Sequence, residues 1–207
     1  ELGFFERLLT PKAERALVDG CRAYVAGDRR QAAKTLRGAV HLADGAFLAG
    51  FLALDAGRLD DAERFLRAAD AKRRQLGKHF GKHAFTVELA LPITEQVAAR
   101  IRPCRRGVLL GLAEVHQARG RTADALKVLK TLRRIDPEDP AVNLSVAELI
   151  CEAAPDDRRL AKQVVELIGD VGNDSTIHAA LMLYKGKALR TLGLPTAARD
   201  TLTAACR

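Results

Sequence analysis

The sequence contains no run of roughly 18 uncharged apolar residues, so nothing in it reads as a membrane-spanning helix. Its opening, ELGFFERLLTPKAER, has neither a basic stretch ahead of an apolar one nor a small-residue cleavage site, so it is no secretory signal. The four cysteines, Cys21, Cys104, Cys151 and Cys206, form no C-x-x-C pair, which argues against a zinc ribbon and a dithiol redox motif. Small buried apolar residues in a reducing, cytoplasmic setting is the expected reading of them. The start at Glu1 rather than Met is what a segment of a longer protein would show.

Catalytic signatures are also missing. There is no G-x-S-x-G elbow and no H-E-x-x-H pair. GKHFGKH at 77–83 is glycine-bearing and basic, but lacks the Lys-Ser/Thr ending of a phosphate-binding loop. His79 and His83 have the separation of two ligands on a helix, but Gly77 and Gly81 interrupt the stretch and no third ligand lies nearby. The carboxylates Asp60, Asp61, Asp156 and Asp157 fall at expected helix starts, where they complement the helix dipole. No enzyme, cofactor or metal site is expected.

What is present fits a folded chain. With 207 residues, 48% hydrophobic and 29% charged, it should bury about 70% of its unfolded surface without disulfide or metal staples. Internal repetition decides its class. Gly20, Gly27, Ala32, Leu36 and Ala39 recur 30 residues later as Gly50, Gly57, Ala62, Leu66 and Ala69. The same spacing of 7, 5, 4 and 3 returns in Ala113, Gly120, Ala125, Leu129 and Leu132, and again in Gly186, Gly193, Ala198, Leu202 and Ala205. Each set predicts a helical hairpin. A small residue midway along the first helix lets the second approach, a glycine past its end makes the left-handed turn, and an alanine fills the crossing. Thr10-Pro11, Asp28 and Pro195 supply start signals.

These features resemble the tetratricopeptide repeat family. The third unit, GVLLGLAEVHQARGRTADALKVLKTLRRIDPED, carries Leu109, Leu112, Ala113, Gly120, Ala125, Leu129 and Pro137 at family-like spacing. Asp19 and Lys185 stand where the family has leucine, and the first two units repeat at 30 residues rather than the usual 34. The resemblance implies an all-α, right-handed solenoid of helix pairs: two repeats over 11–71 and three over 106–207. The unit at 140–172 is degenerate, with helices opened by Pro140 and by Pro155-Asp156-Asp157. Leu2, Phe4, Phe5, Leu8 and Leu9 predict a capping helix over 1–10.

Residues 72–105 interrupt the array. Phe85, Val87, Leu89, Leu91 and Ile93 alternate with Thr86, Glu88, Ala90 and Pro92, a period of two that predicts a strand. A β-hairpin turning near Thr94-Glu95-Gln96 is preferred, and a short helix over 94–101 stays open. Between 72 and 106 lie nine basic residues, Lys72, Arg73, Arg74, Lys78, Lys82, Arg100, Arg102, Arg105 and Arg106, against Glu88 and Glu95. That local excess of seven leaves only +1 of the total +8 for the rest of the chain. Such a patch attracts phosphate, anionic lipid or an acidic protein segment; the plainer alternative is a flexible, solvated loop.

By the resemblance, the first helix of each pair lines a concave groove. The residues assigned to it are Leu17, Cys21, Tyr24, Phe47, Phe51 and Leu54, continued by Leu110, Glu114 and Gln117 and then by Leu183, Lys187 and Arg190. Family members that clamp chaperone C-termini use a lysine, asparagine and arginine set that the first two units lack, so an apolar peptide or partner helix, or the chain's own hairpin, is the expected occupant. The functional expectation is a non-enzymatic scaffold that binds a protein partner in the groove, through the basic insert, or both. A nucleic-acid- or ribosome-associated protein using residues 72–106 is the alternative.

Overall fold

The computed structural model describes residues 10–206, so the capping helix expected over 1–10 lies outside the described residues apart from Thr10. The fold is all-α with one small antiparallel hairpin, as expected, and has eleven α-helices among the described residues. In chain order these are α1 (Lys12–Val25), α2 (Arg29–Leu36), α3 (Ala43–Asp55), α4 (Leu59–Ala71) and the short α5 (Lys78–Lys82). Strands β1 (Leu89–Pro92) and β2 (Ala98–Ile101) follow. The remaining helices are α6 (Arg105–Ala118), α7 (Thr122–Arg133), α8 (Pro140–Ala153), α9 (Arg158–Ile168), α10 (Thr176–Thr191) and α11 (Pro195–Ala205).

The chain divides into two compact units. One holds the described residues through Leu89 together with Arg100–Arg119, and the other holds Ala90–Ala99 and the described residues from Gly120 onward. In the first, α1 packs on α2, α3 on α4, and α6 on α4 and α3. In the second, α7 packs on α8, α8 and α9 on each other and on α10, and α10 on α11.

The repeated glycines do two separate jobs. Gly27, Gly57, Gly120 and Gly193 adopt φ between 67° and 83°, the left-handed conformation that ends a helix and that a Cβ would strain. The closing hydrogen bonds repeat as well: Gly27 N–H donates to Tyr24 O and Asp28 N–H to Ala23 O, and the same pair recurs at Gly57–Arg58 and Gly193–Leu194. The mid-helix glycines admit a leucine sixteen residues later. A Cβ on Gly20 would lie 2.6 Å from Leu36 Cγ, on Gly50 2.8 Å from Leu66 Cγ, and on Gly186 2.6 Å from Leu202 Cγ. The spacing predicts the small residue, and the structure shows which side chain it makes room for. Ala32, Ala62, Ala125 and Ala198 are buried.

Start signals are met with small shifts. Pro11 occupies the N-cap position of α1 rather than its first turn. Asp28 caps α2 by accepting from Gln31 N–H at 2.8 Å, Asp139 caps α8 ahead of Pro140, and Asp157 caps α9. The 140–172 segment therefore does hold two helices.

The insert forms the hairpin rather than the alternative helix. Its turn is held by Ile93 N–H to Val97 O at 2.8 Å, Thr94 N–H to Val97 O at 3.1 Å, and Thr94 Oγ1, which accepts from Val97 N–H at 3.1 Å. Leu89, Leu91, Ile93, Val97, Ala99 and Ile101 are buried. The strand begins later than the alternation suggests, because Phe85 N–H is tied back to Phe80 O at 2.9 Å and Ala84 turns the chain with φ 55°.

The cysteine expectation needs correction. Cys21 is buried and its thiol is pushed up to about 12 by burial, with Asp44 adding to the effect, but Cys104 and Cys206 are exposed and Cys151 half-buried. The two exposed ones stand at helix ends rather than on a packed face, Cys104 as the N-cap of α6 and Cys206 as the C-cap of α11.

Candidate functional site

The segment that leads into the basic insert is pinned to the repeats, which corrects the flexible-loop alternative for residues 77–83. Asp44, in the first turn of α3, is fully buried. Its Oδ1 accepts from Gly77 N–H at 2.6 Å, and its Oδ2 from His79 N–H at 2.8 Å and Phe80 N–H at 3.0 Å. The carboxylate thereby caps α5 from more than thirty residues away, satisfying amides that a helix start leaves without partners. Phe80 is driven inside, with 1% exposure.

A second tether comes from α1. Glu14 Oε2 accepts from Lys82 Nζ at 2.6 Å and from His83 Nε2 at 3.2 Å. The Lys82 hydrogen bond holds the Glu14 carboxyl below its ordinary 4.5, against the opposing effect of burial, and His83 adds to the lowering. A depressed folded value means that this pairing stabilises above the unfolded value and that the stabilisation is lost as pH falls through the folded one. Glu14→Gln is therefore expected to lower Tm at pH 7, and the gap from wild type to close in acid below about pH 4. Thermal melts at both pH values check this; a constant gap would mean the tether does not titrate.

The nine cations of 72–106 all lie in the first unit, but they are not equivalent. Lys82 is engaged by Glu14. Arg100 and Arg102 flank Glu88 at 3.4 and 3.1 Å. Arg105 approaches Asp70 at 3.9 Å, Lys72 donates to His41 O, and Arg106 donates to Arg100 O at 3.4 Å. Arg73, Arg74 and Lys78 are exposed and have no ion pair or hydrogen bond from their side chains among the described residues.

The residues assigned to the groove divide by burial. Leu17, Cys21, Phe47, Phe51 and Leu110 are interior; Tyr24, Leu54, Glu114 and Gln117 are partly exposed. Burial raises the Glu114 carboxyl. The cover over the phenylalanines is α6: a Cβ on Gly107 would lie 3.4 Å from Phe47 Cε2, and one on Gly111 2.7 Å from Phe51 Cζ. In the second unit Leu183 is exposed, and Lys187 lies 4.5 Å over the Tyr184 ring. Tyr184 Oη donates to the buried Glu148 at 3.1 Å.

Sequence reasoning passed over Asp44, Glu14 and the Gly107–Gly111 pair. Only the last leaves a local signal, two glycines four apart at the start of a helix. No group of three or more metal-ligating side chains occurs among the described residues. No described helix is long and apolar enough to cross a membrane.

Comparison with known proteins agrees with the repeat spacing. The family model described as the tetratricopeptide repeat matches residues 87–149, which run from the hairpin into α8. No curated protein matches the chain. Among solved structures, TPR-like repeats of a Podosopora anserina protein described as a putative kinesin light chain superpose with TM-score 0.59 at 16% identity, covering 95% of this chain and 96% of that one. A glutamine-to-methionine variant of the same protein superposes with TM-score 0.60 at 14% identity, covering 95% of each. At these identities the likeness is one of fold: the chain has the fold of a TPR-like solenoid.

Proposed function

We propose that this tetratricopeptide-like chain is a non-enzymatic scaffold that holds an acidic segment of a protein partner against its basic insert. Repeats of this kind mediate protein–protein interaction. The observation that carries the finer reading is the set of three exposed cations without counter-charge: Lys78, on the segment that Asp44 and Glu14 fix to α3 and α1, and Arg73 and Arg74, on the short turn that joins α4 to it. A fixed mount reduces the ordering cost of binding, and unpaired surface cations steer acidic partners. Groove binding is the weaker reading, because a partner would have to displace α6 to reach Phe47 and Phe51. Nucleic acid is less favoured because Phe80 is buried and Phe85 half-buried, so the patch lacks a stacking platform.

The test is affinity capture with the intact chain and with R73E/R74E/K78E, before and after nuclease treatment. Protein partners are expected to survive nuclease and to be lost by the variant, while Tm shifts by less than that of a buried substitution because the three side chains are exposed. Capture that nuclease abolishes would transfer the function to nucleic acid. Capture unchanged in the variant would mean that the insert does not carry the contact.

A further inference from the structure

A cleft of about 650 Å³ opens in the first unit between α2, the end of α3 and the start of α4. Arg29, Arg30, Lys34, Arg37 and Arg58 line it, with Asp55 as the single carboxylate and Ala33, Leu52 and Ala56 as the apolar part. The sequence reading missed it because the charge outside the insert nearly cancels in the total, which hides a local cluster.

Two of the five cations have a counter-charge. Arg29 pairs with Asp55 at 2.9 Å, and Arg58 approaches Asp61 at 3.8 Å. Both sit close to the C-terminus of α3, whose dipole favours positive charge. Lys34 in the last turn of α2 and Arg37 at its C-cap are likewise favoured by that helix's dipole, but Arg30, Lys34 and Arg37 all lack a counter-charge. Arg30, Lys34 and Arg37 fall at i, i+4 and i+7, so they share one face of α2 and the turn after it, and none has a side-chain hydrogen bond or ion pair among the described residues. Three like charges along one face repel one another and lower helix stability. The dipole of α2 offsets part of that cost at Lys34 and Arg37, and a bound anion would offset it along the whole row.

We propose that this cleft is a second binding site, separate from the insert, for an acidic peptide segment of a protein partner that carries apolar side chains between its carboxylates. Arg30 to Arg37 span about 10 Å of helix rise, a row rather than a cup, which matches successive carboxylates better than one phosphate. The apolar floor of Leu52, Ala33 and Ala56 suits aliphatic side chains. No aromatic residue lines the cleft, so it offers unpaired bases nothing to stack on.

The site stands or falls independently of the insert, and the experiment keeps the two apart. Fluorescence anisotropy is measured on the full chain carrying R73E/R74E/K78E, which removes the insert's free charges. The probe is a fluorescein-labelled twelve-residue peptide of repeated Glu-Glu-Leu, about twelve residues being enough to run the length of the cleft. The probe is expected to bind this background, and adding R30E/K34E/R37E to weaken it by about tenfold or more. A Glu-Glu-Ser peptide is expected to bind several-fold more weakly, and carbodiimide treatment to join the probe to Lys34. R30A/K34A/R37A, which cannot introduce repulsion, should also weaken binding while circular dichroism stays unchanged. The proposal is overturned if the insert-reversed background fails to bind, which leaves the insert reading intact. It is equally overturned if the cleft substitutions leave affinity unchanged, if the serine peptide binds as well, or if an oligothymidylate probe binds the cleft as tightly.

Discussion

Asp44→Ala is expected to destabilise the protein by about 3 kcal/mol or more, since one substitution strips the acceptor from three amides in and around a buried site. The amides of Gly77, His79 and Phe80 all donate to this carboxylate, which has no exposure to water. A small residue cannot replace either oxygen, and water would have to enter beside Phe80, itself buried, to take over. Asp44→Asn keeps one carbonyl acceptor but loses the charge, and is expected to fall between alanine and wild type. Asp55→Ala is the control: its pair with Arg29 is half-exposed, and its loss should cost less than about 1 kcal/mol. Urea unfolding measures the three, and hydrogen exchange at Gly77, His79 and Phe80 reports whether the insert has come loose. A D44A protein within about 0.5 kcal/mol of wild type would mean that α5 is held by Phe80 and the Glu14 tether rather than by Asp44.

This tether shows where the sequence stops being readable. Turns were legible because each depends on a few adjacent residues: a left-handed glycine, a following cap, an alanine five positions on. The hairpin was legible because burial of one face imposes a period of two, with Leu89, Leu91, Val97, Ala99 and Ile101 all inside. Asp44 leaves no comparable trace. It binds backbone amides, which every residue but proline offers, and its partners lie more than thirty residues away. In sequence it resembles any acidic residue in the first turn of a helix. Glu14 is hidden for a similar reason, since its partners Lys82 and His83 read as members of a basic run rather than as one end of a contact.

The groove was obscured by α3 itself. Every residue of Ala43–Asp55 through Ala53 is buried, so the helix has no polar stripe from which to orient its inner and outer faces. Spacing groups Phe47 with Phe51 correctly, and their rings do meet at 4.9 Å, tilted by 60°. It cannot say what they face. That required the complementary pair on α6, where Gly107 and Gly111 stand four apart opposite phenylalanines that are also four apart. The basic cleft was obscured differently: Arg30, Lys34 and Arg37 show their helical spacing in the sequence, but the wall that turns a charged face into a cleft comes from α3 and Arg58.

Phe47→Ala and Phe51→Ala are each expected to cost about 3–5 kcal/mol in the isolated chain, with no partner present, because the rings fill the contact between α3 and α6. Their exposures are 0% and 5%, and the double variant should lose less than the sum because the rings touch each other. The coupling to α6 gives the sharper test. Gly111→Ala places a Cβ 2.7 Å from Phe51 Cζ and 3.1 Å from Leu66 Cδ1, an overpacking expected to cost about 1–3 kcal/mol in the wild-type background. When Phe51 is alanine the main obstruction is gone and part of a cavity lies open. Gly111→Ala should then be close to neutral, and an interaction energy of about 1 kcal/mol or more should appear in the double-mutant cycle. Additive losses would place Gly111 and Phe51 in separate environments. If the phenylalanine variants instead unfold at the wild-type denaturant concentration, the rings are not held by α6, and the face they occupy returns as a surface for an apolar partner.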